Sequence, residues 1–367
     1  MRMKRLAREC MENVKPYTPG KPIEEVQREL GLKDVIKLAS NENSLGPSPK
    51  ALDAVRKSLN KINRYPDASC FYLKSKIAKA LGTTEDSLIV GNGSDEVIVL
   101  AAKAFLDPGD EVVVAKPTFL IYEIASQVQG AKIISVPLTK DFRYDLKEMK
   151  RAITERTKIV FIANPDNPTG TYVTKKELDE FFKGLSDDVL VFLDEAYYEF
   201  ASYSFKDYPD GKAYLKRPGV IVSRSFSKAY GLAGLRIGYG VSSPDIISYM
   251  ERAREPFNAN LLAQAAAMAA LEDKDFLKKT LEHVEKERGS LYKAFDRLNL
   301  KYVPSATNFI LFDVGEDSRK VFGALLKKGV IIRDMKAWGL DTYMRVTIGT
   351  RNENKRFIEA LGETIRR

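Results

Sequence analysis

Residues 158–170 read KIVFIANPDNPTG, and the passage changes character halfway. The run 158–163 is apolar and β-branched, short enough for a buried strand. The next seven residues carry two prolines and a glycine, which end the strand in a rigid turn. That turn presents Asn167 at the carboxyl end of the strand, the edge where open α/β sheets bind ligands. Six similar runs lie at 87–90, 111–115, 132–136, 189–193, 220–223 and 237–241. Amphipathic stretches of helical length, such as 95–105 and 175–185, separate several of them. Buried runs alternating with helices predict an α/β fold: a large domain with a mostly parallel sheet flanked by helices.

Beyond about residue 244 the pattern changes. A long helical region over 244–298 has an alanine-rich run at 265–270 and a charged, amphipathic second half. Strand-like 308–312, a helix near 319–328, strand-like 330–333 and 345–348 and a closing helix follow, which predict a smaller α+β domain. The first forty or so residues read as an arm plus a helix, lying against this C-terminal part or a second subunit. The expected organisation is an arm and the start of the small domain over 1–45, a large domain over 46–262, and a small domain over 263–367 that includes the interdomain helix.

Composition narrows the function. The 367 residues hold 59 Lys+Arg against 50 Asp+Glu, a net charge of +9 in short mixed clusters such as Lys4–Arg5, without the runs of a nucleic-acid binder. The mild excess favours anionic small substrates. No apolar stretch is long enough to span a bilayer, and the N-terminal MRMKRLARECMENVK lacks the apolar core of a secretory signal, so no membrane partner is expected. Two cysteines, Cys10 and Cys70, fit a reducing cytoplasm. The single histidine, His283, excludes most zinc sites and any Ser-His-Asp or Cys-His arrangement within one chain. It sits in a charged helix face and reads as solvated, with no catalytic part.

Acid–base chemistry must therefore come from elsewhere. GNGSDE at 91–96 starts like a dinucleotide fingerprint but has Glu96 where the third glycine belongs, and no P-loop occurs. It still follows a strand and opens a helix, so Ser94 and Asp95 offer donors to an anion; alone, a plain capped turn explains it equally well. The run 189–193 leads straight into Asp194, Glu195, Ala196 and Tyr197, and an acid at a buried strand end is costly unless it is bonded. The segment 225–240, SFSKAYGLAGLRIGYG, sets Lys228 between hydroxyls and a glycine-rich loop, with Arg236 eight residues on. Hydroxyls with an arginine form a phosphate site, and a lysine beside it suits condensation with a phosphorylated carbonyl cofactor. Pyridoxal 5'-phosphate needs a carbonyl-trapping amine, a carboxylate at its pyridine nitrogen, hydrogen bonds to its phenolic oxygen and a phosphate cradle. Lys228, Asp194, Asn167 with Tyr197, and Ser94, Ser225, Ser227 and Arg236 supply all four.

On these motifs the sequence resembles the fold-type I pyridoxal-phosphate aminotransferases, and among them the histidinol-phosphate aminotransferase family, from about Tyr17 to Asn352. The anchors are NPDNPTG at 164–170, DEAY at 194–197, SFSK at 225–228 and GLRIG at 234–238. Narrower marks are KPY at 15–17, LASNEN at 38–43, RYPD at 64–67, GNGSDE at 91–96, GVIIR at 329–333 and RVTIG at 345–349. Ser44 stands where the family often has proline. The resemblance implies further roles. Phe119 stacks on the cofactor ring, and Tyr65 reaches the cofactor phosphate of the neighbouring subunit in a homodimer with shared sites. Arg333 and Arg345 clamp the substrate's anion, and Tyr17 and Asn43 line its pocket. The implied reaction is transamination between histidinol phosphate and 2-oxoglutarate, giving imidazole acetol phosphate and glutamate in histidine biosynthesis. Relatives that act on aromatic amino acids, or that decarboxylate phosphothreonine, share much of this pattern. A regulator that keeps the cofactor as a sensor would want an appended helix-turn-helix and a basic stripe, and neither is visible.

Overall fold

The structure, a computed structural model, describes residues 6–18 and 20–365. The Lys4–Arg5 pair and part of the expected arm lie outside the described residues. The chain begins with α1 (Ile23–Leu30), β1 (Ile36–Lys37), α2 (Pro49–Ser58) and α3 (Phe71–Leu81). It continues through β2 (Leu88–Gly91), α4 (Ser94–Phe105), β3 (Glu111–Lys116), α5 (Ile121–Val128), β4 (Lys132–Pro137), α6 (Leu146–Arg151) and β5 (Thr157–Ala163). Then come α7 (Lys175–Phe182), β6 (Leu190–Asp194), α8 (Tyr198–Ser204), β7 (Val220–Ser225) and β8 (Gly238–Val241). Three helices follow, α9 (Pro244–Ala253), α10 (Leu261–Glu272) and α11 (Lys274–Arg297). The remainder is β9 (Lys301–Tyr302), β10 (Phe309–Asp313), α12 (Ser318–Lys327), β11 (Val330–Ile331), β12 (Arg333–Asp334), β13 (Tyr343–Thr347) and α13 (Arg351–Ile365).

The seven apolar runs read from the sequence become one seven-stranded sheet, ordered β2-β8-β7-β6-β5-β3-β4. Strands β7, β6, β5, β3 and β4 pair in parallel, and β8 runs against both of its neighbours. Val160, Phe161 and Ile162 of β5 and Val191 and Phe192 of β6 are wholly buried. Burial on both faces is what a parallel sheet covered by helices demands. Because six strands point one way, the carboxyl ends of β2, β3, β5, β6 and β7 share one edge, and the turns beyond them converge there.

A second, antiparallel sheet orders β12-β13-β10-β9. With α11 and α13 it builds a separate core around Phe295, Phe309, Phe312 and Phe357. The N-terminal segment joins this unit, because β1 pairs in parallel with β11. The single helical region expected over 244–298 is broken into three helices, and Ala263, Ala266, Ala267 and Ala270 of α10 pack in the large-sheet core. Large-sheet packing therefore continues through Leu271, past residue 263, and Leu277 is the first residue of α11 against the small-sheet core. His283 also differs from expectation. It is half-buried, with Nε2 at 3.1 Å from the Gly349 carbonyl oxygen and 3.4 Å from Ser44 Oγ. The charged face of α11 is covered there by the loop at 44 and the turn at 349.

Candidate active site

A cavity of about 290 Å³ opens where the carboxyl edge of the large sheet faces the small sheet and the N-terminal segment. Local chemistry explains how each strand end delivers its residue. The turn after β5 places Asn167 in the cavity, held by Gly170 at φ +81°, a backbone that side chains disfavour. Strand β6 ends on Asp194, and the next turn brings in Tyr197. Strand β7 ends on Ser225, whose Oγ accepts the Ser227 N–H at 3.1 Å and folds the chain so that Lys228 enters the cavity. Strand β2 leads through Gly93 into α4, and Ser94 and Asp95 stand at its start.

Two neighbouring acids show how differently this edge treats charge. Glu195 is locked to Arg224, whose Nε and Nη2 donate at 2.9 and 2.8 Å, and it accepts the Gly211 N–H at 2.7 Å. Asp194, only 5% exposed, faces the cavity. It accepts the Tyr122 hydroxyl at 2.7 Å on Oδ2, and on Oδ1 the Ala196 N–H at 3.1 Å and the Ser223 hydroxyl at 3.2 Å. None of these donors is a cation. Burial raises the carboxyl's pKa, and the Tyr122 hydrogen bond is the largest influence opposing it. A buried carboxylate with neutral partners, aimed into a cavity, is a place for a cationic nitrogen.

Lys228 is half-buried, with Nζ 3.4 Å from the Ser40 carbonyl oxygen and 5.6 Å from the centre of the Tyr197 ring. Burial, with the Arg345 charge second, lowers its pKa to about 8, which brings a neutral amine within reach near physiological pH. Tyr197 is held at about 12 by burial, against the pull of Arg345 and of Asn41, whose Nδ2 donates to its hydroxyl at 2.8 Å.

At the start of α4, Arg236 closes a pocket for an oxyanion. Its guanidinium donates to Asp95 Oδ2 at 3.2 Å and to Ser227 Oγ at 3.3 Å. Gly93 sits at φ +87°, and a Cβ there would lie 2.4 Å from Arg236 Nη2; one on Gly238 would lie 2.4 Å from the Ser94 nitrogen. Both glycines keep this cradle open.

The opposite wall comes from the small sheet. Arg333 on β12 and Arg345 on β13 are directly paired across the ladder, and both line the cavity. Like charges opposite one another destabilise a sheet unless something between them is negative. Arg345 is 6% exposed; its Nη1 donates to Asn167 Oδ1, its Nη2 donates to the Ala39 carbonyl at 3.0 Å, and its buried Nε has no partner among the described residues. Arg333 donates to the Thr18 carbonyl at 2.6 Å and stacks 5.3 Å over Trp338.

Of the residues singled out in the sequence, Tyr17, Ser94, Asp95, Phe119, Asn167, Asp194, Tyr197, Ser225, Ser227, Lys228, Arg236, Arg333 and Arg345 meet in this one cavity. Two do not. Asn43 turns away: its Nδ2 donates to the Ala229 carbonyl at 3.0 Å, and Asn41, at φ +57°, takes the cavity position. Tyr65 is 82% exposed and stacks on Phe257 at 4.6 Å, outside its own chain's cavity. Tyr122, Trp338 and Asn41 were not anticipated. The signals were thin: Tyr122 falls three residues after Phe119, Trp338 is the sole tryptophan, and Asn41 shares a motif with Asn43.

The structure is similar to that of the histidinol-phosphate aminotransferase from Sinorhizobium meliloti solved with pyridoxal-5'-phosphate (TM-score 0.90, 30% identity, covering 98% of this chain and 97% of that one). It also shares its fold with aspartate aminotransferase from Thermus thermophilus (TM-score 0.83, 23% identity, covering 98% and 99%). The architecture is that of a fold-type I aminotransferase. In sequence, the chain is 53% identical over 360 residues to the histidinol-phosphate aminotransferase of Moorella thermoacetica, covering 98% of this chain and 92% of the relative. It is 47% identical to histidinol-phosphate aminotransferase 2 of Carboxydothermus hydrogenoformans, covering 97% and 98%. The family model described as aminotransferase class I and II matches residues 33–361, and the chain belongs to that family. It is a pyridoxal-phosphate-dependent aminotransferase. The cavity fits that cofactor on three counts: the cationless carboxylate of Asp194, the cradle that a Cβ on Gly93 would fill, and the depressed pKa of Lys228.

Proposed function

We propose that this aminotransferase exchanges an amino group between histidinol phosphate and 2-oxoglutarate, giving imidazole acetol phosphate and glutamate, a step of histidine biosynthesis in the cytoplasm. The observation that carries the substrate reading is the cross-strand pair Arg333–Arg345 on the cavity wall. Two guanidinium forks hold a phosphate or a carboxylate in turn, which one pocket must do for two substrates with different anions. The names of the relatives point the same way.

When bound, pyridoxal phosphate supplies a carbonyl that condenses with amines and a ring that draws off the electron pair left at the substrate carbon. In this reading the chain does the rest. Lys228 would hold the carbonyl between turnovers, and its neutral Nζ, once released, would take and return the proton at the substrate Cα. Asp194 keeps a proton on the pyridine nitrogen. Asn167 and Tyr197 bond the phenolic oxygen, and Phe119 stacks on the ring. The hydroxyls of Ser94, Ser225 and Ser227, the backbone N–H of Asp95 and the Arg236 guanidinium would hold the phosphate. Tyr17 and Asn41 line the substrate side, and the small-sheet wall excludes water.

We also infer a homodimer. Ile62, Tyr65, Phe71, Tyr72 and Phe257 are all more than 40% exposed, a concentration of apolar side chains that a second copy would cover. Such a contact would carry Tyr65 toward the partner's phosphate cradle. The decisive experiment is a panel of amino donors assayed with 2-oxoglutarate. Histidinol phosphate should lead the panel. Turnover of phenylalanine or tyrosine with no response to histidinol phosphate would replace this reading by an aromatic aminotransferase.

A further inference from the structure

We propose that Tyr122 is a positioning residue for the electron-sink end of the site: its phenol, in place of any cation, orients the Asp194 carboxylate and keeps it negative toward the cofactor's ring nitrogen. The inference rests on the assignment of Asp194 to that nitrogen and adds the residue behind it.

The geometry is specific. The Tyr122 hydroxyl makes the shortest of the three contacts to Asp194, 2.7 Å on Oδ2, against 3.1 and 3.2 Å on Oδ1. Tyr122 has no exposed surface. Its ring is stacked on Phe161 at 4.8 Å and 10°, and meets Phe119 edge-on at 5.7 Å and 84°. A ring clamped on these two sides holds the phenol on one carboxylate oxygen. The clamp also runs through Phe119, which lines the cavity, so cofactor ring and carboxylate share one aromatic support.

The chemistry follows from burial. A desolvated carboxylate favours its protonated form, and the negative charge of Asp95 adds to that tendency. A phenol is a stronger donor than an alcohol or an amide, so its hydrogen bond favours the charged carboxylate. Remove the phenol and Asp194 becomes the better base. The shared proton then moves off the pyridine nitrogen, and the ring draws electrons less well. Ala196 N–H and the Ser223 hydroxyl serve the other oxygen and do not replace Tyr122.

The test is the ¹⁵N chemical shift of the pyridine nitrogen in holoenzyme loaded with ring-¹⁵N-labelled pyridoxal phosphate. Tyr122→Phe keeps the ring and its packing and removes only the hydroxyl. Its signal should move from the protonated position part of the way toward that of Asp194→Asn, with kcat lowered roughly tenfold and KM little changed. A wild-type ¹⁵N position in Tyr122→Phe, with Asp194→Asn displaced, overturns the inference and leaves the Asp194 assignment standing. No displacement in Asp194→Asn overturns that assignment itself, and the inference with it. Should Tyr122→Phe not fold, 3-fluorotyrosine placed at position 122 keeps the shape and donates more strongly. At fixed pH the shared proton should then sit nearer the nitrogen, so the ¹⁵N signal moves further toward the protonated position than in the wild type. An unchanged signal, or one moved toward the unprotonated position, overturns the inference.

Discussion

The two walls of the cavity are built in opposite ways. On the large-sheet wall Asn167, Asp194 and Ser225 stand at or just beyond the ends of β5, β6 and β7, three adjacent parallel strands, with Lys228 three residues further on. Each is delivered by the strand it ends, and the sheet's hydrogen bonds set their spacing. On the other wall Tyr17, Arg333, Trp338 and Arg345 come from the N-terminal segment and the small sheet: Arg333 is held by the Thr18 carbonyl and the Trp338 ring, and Arg345 by the Ala39 carbonyl, with Nη1 reaching across to Asn167. The first wall is a rigid chemical bench. The second spans several elements and carries two facing cations, which makes it the adaptable side. Changes on the first wall should therefore damage both half-reactions alike, whereas on the second the arginine serving one anion more than the other, Arg333, should separate them.

The largest effect is expected at Lys228. Lys228→Ala should lower transamination roughly 10³-fold or more in both directions, since one amine both holds the carbonyl and moves the proton. Borohydride reduction of the wild type should trap the cofactor on a peptide containing Lys228, and a different lysine in that peptide breaks the comparison at its centre. Next is Asp194→Asn. The phosphate cradle is untouched, so the cofactor should stay bound while both half-reactions slow by about 10²-fold. Near-normal single-turnover rates would remove Asp194 from the bench.

On the other wall, Arg345→Ala should cost about 2–3 kcal/mol, roughly 30- to 150-fold in kcat/KM, for both substrates, because it strips a charge-assisted donor and leaves Asn167 unpaired. Arg333→Ala should be milder and unequal, roughly tenfold on the histidinol phosphate half-reaction and less on glutamate. Single-turnover spectra of each half-reaction measure the ratio, and equal losses would abolish the distinction between the walls. The smallest effect is one of pH. The Lys228 amine is protonated below its depressed pKa and neutral above it, so capture of pyridoxal phosphate by the apoenzyme should rise with pH through about 8. A rise centred near the ordinary lysine value would mean that burial does not govern this amine.

Legibility followed the same division. The inner strands of the large sheet were readable because a strand buried on both faces writes itself as a continuous apolar run, and the half-exposed edge strand β4 because its core residues Ile133, Ile134 and Val136 are β-branched. Its cavity residues Asn167, Asp194, Ser225 and Lys228 were readable because each ends or follows such a run within a turn rich in glycine, proline or hydroxyls. Tyr122 was not readable, since a buried tyrosine on an amphipathic helix looks the same whether its hydroxyl meets a carboxylate or nothing. Asn41 and Asn43 are two residues apart in one motif, and only the left-handed backbone at Asn41 decides which side chain enters the cavity. His283 was misread because the partners that cover it, Ser44 and Gly349, are far away in sequence.

The layered α/β plan and the amine, carboxylate and hydroxyls at its strand ends are written in short-range pattern: runs, turns and the residues that close them. Long-range contact sets which residues face one another: Arg333 opposite Arg345 across a ladder, a phenol and no cation on Asp194, and α10 packed on the large-sheet core. Each of these depends on strand register or on contact between segments distant in the chain. Such contacts are chosen by how buried surfaces fit together, and no local pattern records that fit.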